Sequence, residues 1–225
     1  MADNNAKAPA TDSVVVIGLG RFGGQVAESL VRLGHEVLAI DEREDIVQGW
    51  ADRLTHVVQA NATDEGVLRQ LGVADYGRAV VGIGTDIEAS VLTVLALHDI
   101  GVREIWAKAI TAKHGKILDR VGAKHVIYPE VTMGDRVAHL ITSRMIDFIE
   151  FDDGFAIAKT RAPHEAIGRT LAQAALRTKY QVTVVGVKRH GEDFVYALPD
   201  TVVPEHAVLI VAGTTDAVQR FAART

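Results

Sequence analysis

The sequence predicts an α/β protein in which a Rossmann-like, doubly wound parallel sheet precedes a small α+β C-terminal lobe. Three observations carry that expectation. Apolar runs alternate with amphipathic stretches from Val14 to about Met145. The run Gly18-Leu-Gly-Arg-Phe-Gly23 joins the first apolar run to the first helical stretch. Past Phe151 the rhythm shifts to closely spaced strands. Continuous apolar strands linked by helices imply a parallel sheet covered on both faces.

The elements follow in order. Residues 14–17 form the first strand. Phe22, Val26, Ala27, Leu30 and Val31 fall at helical spacing behind it, and Gly34 ends that helix. Further strands are expected at 36–40, 56–59, 79–83, 104–109 and 124–128, with Gly72, Gly101 and Gly122 closing the helices between them. After Pro129, the residues Met133, Val137, Leu140, Ile141 and Met145 recur in steps of three and four. They predict one long helix whose apolar stripe is either core or a docking face for a second subunit. Next come a strand at 155–160, a helix at 168–177 and paired strands at 182–188 and 194–197 about His190-Gly191. A strand at 207–212 and a helix at 215–223 close the chain. The expected domains are a flexible tail (1–13), a nucleotide-binding domain (14–132), a helix and linker (133–150) and a C-terminal domain (151–225).

Composition narrows the function. The chain has 225 residues, 48% of them hydrophobic, enough for a packed core. A net charge of -5 argues against nucleic acid as a partner. With no cysteine there is no disulfide, thiolate metal site or cysteine nucleophile. The polar start reads as no signal peptide, and the apolar runs are too short to span a bilayer, so a cytoplasmic protein is expected.

The glycine run carries the chemistry. Gly18 allows a tight strand-to-helix turn, Gly20 lets phosphate approach the backbone, and Gly23 lets helix and strand pack closely. The helix N-terminus adds free N–H groups and a partial positive charge. Asp41 ends the second strand, where its carboxylate can accept both ribose hydroxyls and would repel a 2′-phosphate. Arg21 stands in the first helical turn. A dinucleotide's two phosphates are met by the loop itself, so an added cation suits the terminal phosphates of ADP or ATP. The bland alternative is a surface arginine paired with Glu42. Asn61, Ala62 and Thr63 follow the third strand and can frame the adenine. Gly84 and Thr85 follow the fourth, Gly84 letting ring or ribose pass. Lys108 near the end of the fifth can face phosphate. Glu130 would repel phosphate unless a cation such as Mg²⁺ lay between, or it simply caps the next helix.

The segments GLGRFGG, GHEVLAID, QANATDE, GIGTDIEASVLT, IWAKA and GAKHVIYPE stand in that order, followed by LRTKYQVTVVGVKRHGE and PDTVVPEHAVLIVAG. In these the chain resembles the KtrA/TrkA family of cytosolic regulators of bacterial potassium uptake, built from RCK domains. The resemblance runs from about Val14 to the C-terminus and covers one such unit, whereas TrkA proper carries two. It implies RCK dimers assembled into an octameric ring beneath a KtrB- or TrkH-like membrane potassium-translocating subunit. The protein would then be peripheral to the inner face of the cell membrane. ATP and ADP would compete for one pocket, with Arg21 on the terminal phosphates and Asp41 on the ribose. Phe22 and Glu42 are their neighbours in that pocket. Lys108 and His114 would line its phosphate end, although Gly115 stands where some relatives have a second histidine. Glu130 would help hold a divalent ion across the dimer, and the helix after Pro129 would be the crossover helix joining lobes and subunits. Some relatives bind cyclic di-AMP at the C-lobe dimer interface. Arg177 is placed to meet a phosphate there, but a helix-end arginine complementing the dipole is the favoured reading.

The rival class is an NAD(H)-binding oxidoreductase, or an NADH redox sensor. The tyrosine-and-lysine pair of a short-chain dehydrogenase is absent: Tyr76, Tyr128, Tyr180 and Tyr196 are followed four residues on by Val80, Thr132, Val184 and Asp200. No HExxH, nucleophile elbow or Walker lysine motif is present. Binding without chemistry is the expectation, slow ATP hydrolysis being compatible with it.

Overall fold

The computed structural model describes residues 13–151 and 153–225. The expected tail lies outside the described residues except Ser13, which opens the first strand. The chain divides into two compact units between Glu130 and Val131.

The first unit runs β1 (Ser13–Ile17), α1 (Arg21–Arg32), β2 (Glu36–Asp41), α2 (Glu44–Trp50), β3 (His56–Gln59), α3 (Glu65–Gln70) and β4 (Arg78–Val81). It continues with α4 (Ile87–Asp99), β5 (Glu104–Lys108), α5 (Ala112–Arg120) and β6 (His125–Ile127). The sheet order is β3-β2-β1-β4-β5-β6, with every neighbouring pair parallel. Successive residues of a strand point to opposite faces. Val15 and Ile17 therefore meet Leu68, Leu97 and Leu118 of α3, α4 and α5. Val14 and Val16 pack on the other side with Ala27 of α1 and with Leu54. Both faces of β1 are dry, which is why its sequence is apolar without alternation. Each such aliphatic side chain stabilises the fold by about 1.5–3 kcal/mol on burial. Strand order reverses between β1 and β4, and sheets of this kind bind ligands in the crevice at the carboxyl ends of the strands flanking such a reversal.

α6 (Pro129–Thr142) begins on a proline, whose fixed φ suits a first helical turn. None of its residues is buried, and Val131, Met133, Val137 and Ile141 are exposed. The helix expected through Met145 ends three residues earlier. The hydroxyls of Thr142 and Ser143 donate back to the carbonyls of Ala138 and His139, which competes with helix propagation. Met145 instead opens a strand, β7 (Met145–Phe151), where a linker was expected.

The second unit continues with β8 (Phe155–Arg161), α7 (Leu171–Ala174), α8 (Leu176–Tyr180), β9 (Thr183–Lys188), β10 (Phe194–Tyr196), β11 (Val208–Thr214) and α9 (Thr215–Ala222). Its antiparallel sheet has the order β10-β9-β11-β8-β7. Alternate residues Ala156, Ala158 and Thr160 of β8 are buried, and Ala217, Val218 and Phe221 of α9 join the same core. The single helix expected at 168–177 is two short ones. Thr170 and Gln173 form a capping box that starts α7, and Ala175 then turns left-handed at φ 51°. No helix of the described residues is long and apolar enough to cross a membrane.

Candidate nucleotide site

The crevice is built from backbone first. Gly18 sits at φ 85°, a conformation that favours glycine, and its N–H donates to the Ile40 carbonyl at 2.8 Å. A Cβ on Gly23 would lie 1.9 Å from the Gly18 carbonyl oxygen, so α1 can approach β1 only over a glycine. Gly20 differs from both. It is the N-cap of α1 with φ -61°, and nothing lies within 4 Å of where its Cβ would be. The fold does not require a glycine there: a Cβ would meet only open space. α1 has no side-chain cap and no acidic residue in its first turn. Its first N–H groups and its positive dipole end face that open space, an arrangement suited to an anion.

Asp41 is tied into the same loop. One carboxylate oxygen accepts the Leu19 N–H at 2.7 Å and the other the Arg43 N–H at 3.0 Å. Each oxygen keeps a second lone pair for a ribose hydroxyl. Trp50 Nε1 donates to the Leu19 carbonyl at 3.1 Å, and Gly24 leaves room for the indole, since a Cβ there would lie 2.2 Å from the ring. Leu19 is thus held from both sides.

Across the crevice, a Cβ on Gly82 would lie 2.9 Å from the Gly18 carbonyl oxygen. Gly82 was missing from the sequence-based set. The signal was available in Gly82-Ile-Gly84, which repeats the spacing of Gly18-Leu-Gly20 after the neighbouring strand. Trp50 was also missed, because its contact is 31 residues distant in sequence. Gly84 faces Lys108, whose Nζ would be 3.2 Å from an added Cβ. Lys108 pairs with Glu130 at 2.6 Å, the lysine side chain 12% exposed and the glutamate 66%. The Lys108 ammonium also lies 5.8 Å from the Phe22 ring centroid. The hydrogen bond from Lys108 holds the Glu130 carboxyl below its ordinary range, helped by the Glu130 N–H and by the charge of Arg21, while desolvation opposes. Arg21 is exposed on the first turn of α1. Arg21, Phe22, Gly84, Lys108 and Glu130 therefore share one corner of the crevice.

The remaining expected residues fall into other environments. Asn61 Oδ1 accepts from the Thr63 N–H and hydroxyl at 3.0 and 2.8 Å, closing a tight turn, and Ala62 between them is buried. Glu42 is exposed, and its carbonyl accepts from Gln59 Nε2. Thr85 is exposed beside Asp86, which caps α4 through the Ala89 N–H at 2.9 Å. His114 is 2% exposed, inside the unit rather than lining an open phosphate end. Its Nδ1 accepts the Ile110 N–H at 3.4 Å, and Nε2 has no partner. Burial pushes its pKa down, which keeps the ring neutral. Its helical spacing with Leu118 makes it a core side chain of α5. In the second unit Arg177 donates to the Thr183 hydroxyl at 3.1 Å.

Among the described residues no group of three His, Asp or Glu gathers to hold a metal. Mg²⁺ commonly takes only one or two carboxylates, with phosphate oxygens and water completing its shell. Glu130, exposed and using one oxygen on Lys108, fits the role of such a single ligand. Gly115 opposite makes room for the ring before it: a Cβ there would lie 1.8 Å from the Tyr128 hydroxyl oxygen.

Comparison with known proteins agrees with this architecture. Residues 14–129 match the TrkA-N domain and residues 157–225 the TrkA-C domain. The chain is 36% identical over 207 residues to Ktr system potassium uptake protein A of Bacillus subtilis (strain 168), covering 92% of this chain and 93% of that protein. It is 37% identical over 210 residues to protein C of the same system and organism, covering 93% and 95%. Among solved structures, the GsuK RCK domain superposes with a TM-score of 0.66 at 19% identity, covering 93% of this chain and 47% of that one. Other GsuK structures, bound to NAD and to ADP, superpose at 0.51 and 0.50 with 23% and 24% identity. They cover 97% and 59% of this chain, and 39% and 35% of theirs. This chain thus spans under half of those channel chains, and at such identity they speak for the fold. With a TrkA-N domain on the parallel sheet, a TrkA-C domain on the antiparallel one and Ktr relatives along nearly its whole length, the chain belongs to the KtrA/TrkA family.

Proposed function

We propose that this chain is a nucleotide-binding regulatory subunit that gates a membrane potassium-uptake protein, with ATP and ADP favouring different shapes of an RCK assembly. The observation that carries it is the mixed-charge corner at the uncapped end of α1: Arg21, Lys108 and Glu130 beside a loop that leaves room for phosphate. The loop N–H groups would bind the inner phosphates and Asp41 the ribose. Asn61, Ala62, Thr63, Gly84 and Thr85 would border the nucleoside, with Glu42 at the rim.

Lys108 makes the site responsive to phosphate number. Its ammonium is committed to Glu130. A terminal phosphate drawn in by Arg21 competes for that ammonium and frees the Glu130 carboxylate for a divalent cation such as Mg²⁺ on the same phosphate. A ligand shifts an assembly only through its different affinity for two shapes. The exchange of partners at Lys108 supplies such a difference between ATP and ADP. The exposed apolar residues of α6 offer a face for a second copy of the chain. The family's ring assembly and cytoplasmic placement under a membrane partner fit this reading, as does a binding role without catalysis.

The test is titration of ATP and ADP, with and without Mg²⁺, into the wild type and Arg21→Ala. The expected outcome is an ATP preference that shrinks in the variant; an unchanged preference removes the phosphate-counting role. Asp41 at the end of β2 also suits NAD, and NADH belongs in the same titration. A response to NADH alone would replace this reading with a redox sensor.

A further inference from the structure

The indole of Trp50 has a use that packing does not explain. Trp50 ends α2, half-buried against the apolar cluster of Val14, Leu19, Ala27 and Leu54. A ring that only filled that cluster would need no donor, and phenylalanine would serve. Here Nε1 donates to the Leu19 carbonyl at 3.1 Å, inside the glycine loop. The ring is itself held in place. Gly24 of α1 supplies a notch for it. The Arg53 guanidinium lies 4.2 Å from its centroid. Arg53 in turn pairs with Glu28, one turn beyond Gly24 on the same face of α1.

That bond fixes the direction of the next N–H. A trans peptide joins Leu19 to Gly20, and in a planar trans peptide the N–H points opposite to the carbonyl. With the Leu19 carbonyl turned to the indole, the Gly20 N–H is turned away from it. That N–H has no acceptor among the described residues. Gly20 does not hold this peptide plane by itself: it lacks a Cβ, and nothing lies within 4 Å of where one would be. Asp41 orients the preceding plane through the Leu19 N–H at 2.7 Å. Trp50 sets the second plane as Asp41 sets the first.

We propose that Trp50 is a positioning residue of the nucleotide site: its indole N–H, acting through the peptide that joins Leu19 to Gly20, aims the Gly20 N–H at a phosphate oxygen. The role rests on the nucleotide reading of the crevice. A peptide already turned toward its ligand loses less freedom on binding, so the indole raises phosphate affinity without touching phosphate. A phosphate oxygen accepting the Gly20 N–H also polarises the shared amide and strengthens the indole bond at its other end.

ADP is the probe, titrated calorimetrically into the full chain. Trp50→Phe keeps a ring in the notch and removes the donor. Its ADP affinity should fall about tenfold, the loss of one oriented hydrogen bond. Ile46, one turn earlier on α2, packs against the same apolar cluster. Ile46→Ala thins that packing and leaves the indole bond alone, so its ADP affinity should stay within about twofold of wild type. The native indole gives a second readout that needs no change at Trp50. In Trp106→Phe, Trp50 is the sole tryptophan, and its emission should shift to the red as ADP binds. The proposal is overturned if Trp50→Phe binds ADP like the wild type, or if Trp50→Phe and Ile46→Ala lose affinity alike. It is equally overturned if the Trp50 emission stays fixed while calorimetry records ADP binding. A wild type that takes up no ADP at all overturns the nucleotide reading itself, and this role of Trp50 with it.

Discussion

The N-terminal ends of α1 and α4 sit on adjacent strands of one sheet, and each follows a Gly-x-Gly turn. At α4, Asp86 accepts the Ala89 N–H and Glu88 adds a second negative charge to the first turn. At α1 there is no cap and no acid, and Gly20 opens on empty space. One helix end satisfies itself; the other is left for something else to satisfy. The glycines also divide by task. Gly18, Gly23 and Gly82 are there because backbone meets backbone, whereas Gly20 and Gly84 keep room beside the charges.

The largest effect should come from filling the backbone contact. Gly23→Ala places a methyl against the Gly18 carbonyl and should cost about 3 kcal/mol or more, read by urea denaturation. Survival at wild-type stability would mean that α1 is free to shift away from β1.

Gly20→Asp makes the α1 end resemble that of α4. The extended backbone of Gly20 suits an aspartate cap. Ligand-free stability should hold or rise, while ATP affinity should fall about 30-fold from a like-charge contact of about 2 kcal/mol. Calorimetric titration checks it, and unaltered affinity would place the phosphates elsewhere.

The reverse substitution, Asp86→Ala, should remove about 1 kcal/mol of stability and leave nucleotide affinity as it was. Denaturation and titration of the same variant check both halves.

The smallest effect concerns acid. The Glu130 carboxyl is held low in the folded state, so its pairing with Lys108 contributes above the unfolded carboxyl value of about 4.3. That contribution is lost as pH falls through the lower folded value. Glu130→Gln should lack this step, making its stability slightly less sensitive to pH below about 4. Because Glu130 is mostly exposed, salt should shrink the difference further.

Local sterics made much of this readable in advance. The strand-to-helix glycine turn, the acid at the end of β2 and most strand positions depend on neighbours a few residues away. What escaped depends on distant parts. Lys108 and Glu130 were each expected near phosphate, but their pairing follows from parallel register, which sets Lys108 opposite Ile127. His114 reads equally as ligand or core until α5 is docked. The end of α6 was hidden because Met145 continues a helical spacing and also opens a strand. The left-handed Ala175 that divides α7 from α8 has no sequence signature at all, since alanine is a strong helix former.

The seat of Tyr128 against Gly115 carries a mechanical implication. Two residues beyond that ring stands Glu130, so the carboxylate is indexed against α5 like a pawl against one tooth of a rack. A methyl added at Gly115 touches neither phosphate loop nor ion pair, yet it would lift the tooth and detune the distance between Glu130 and Lys108.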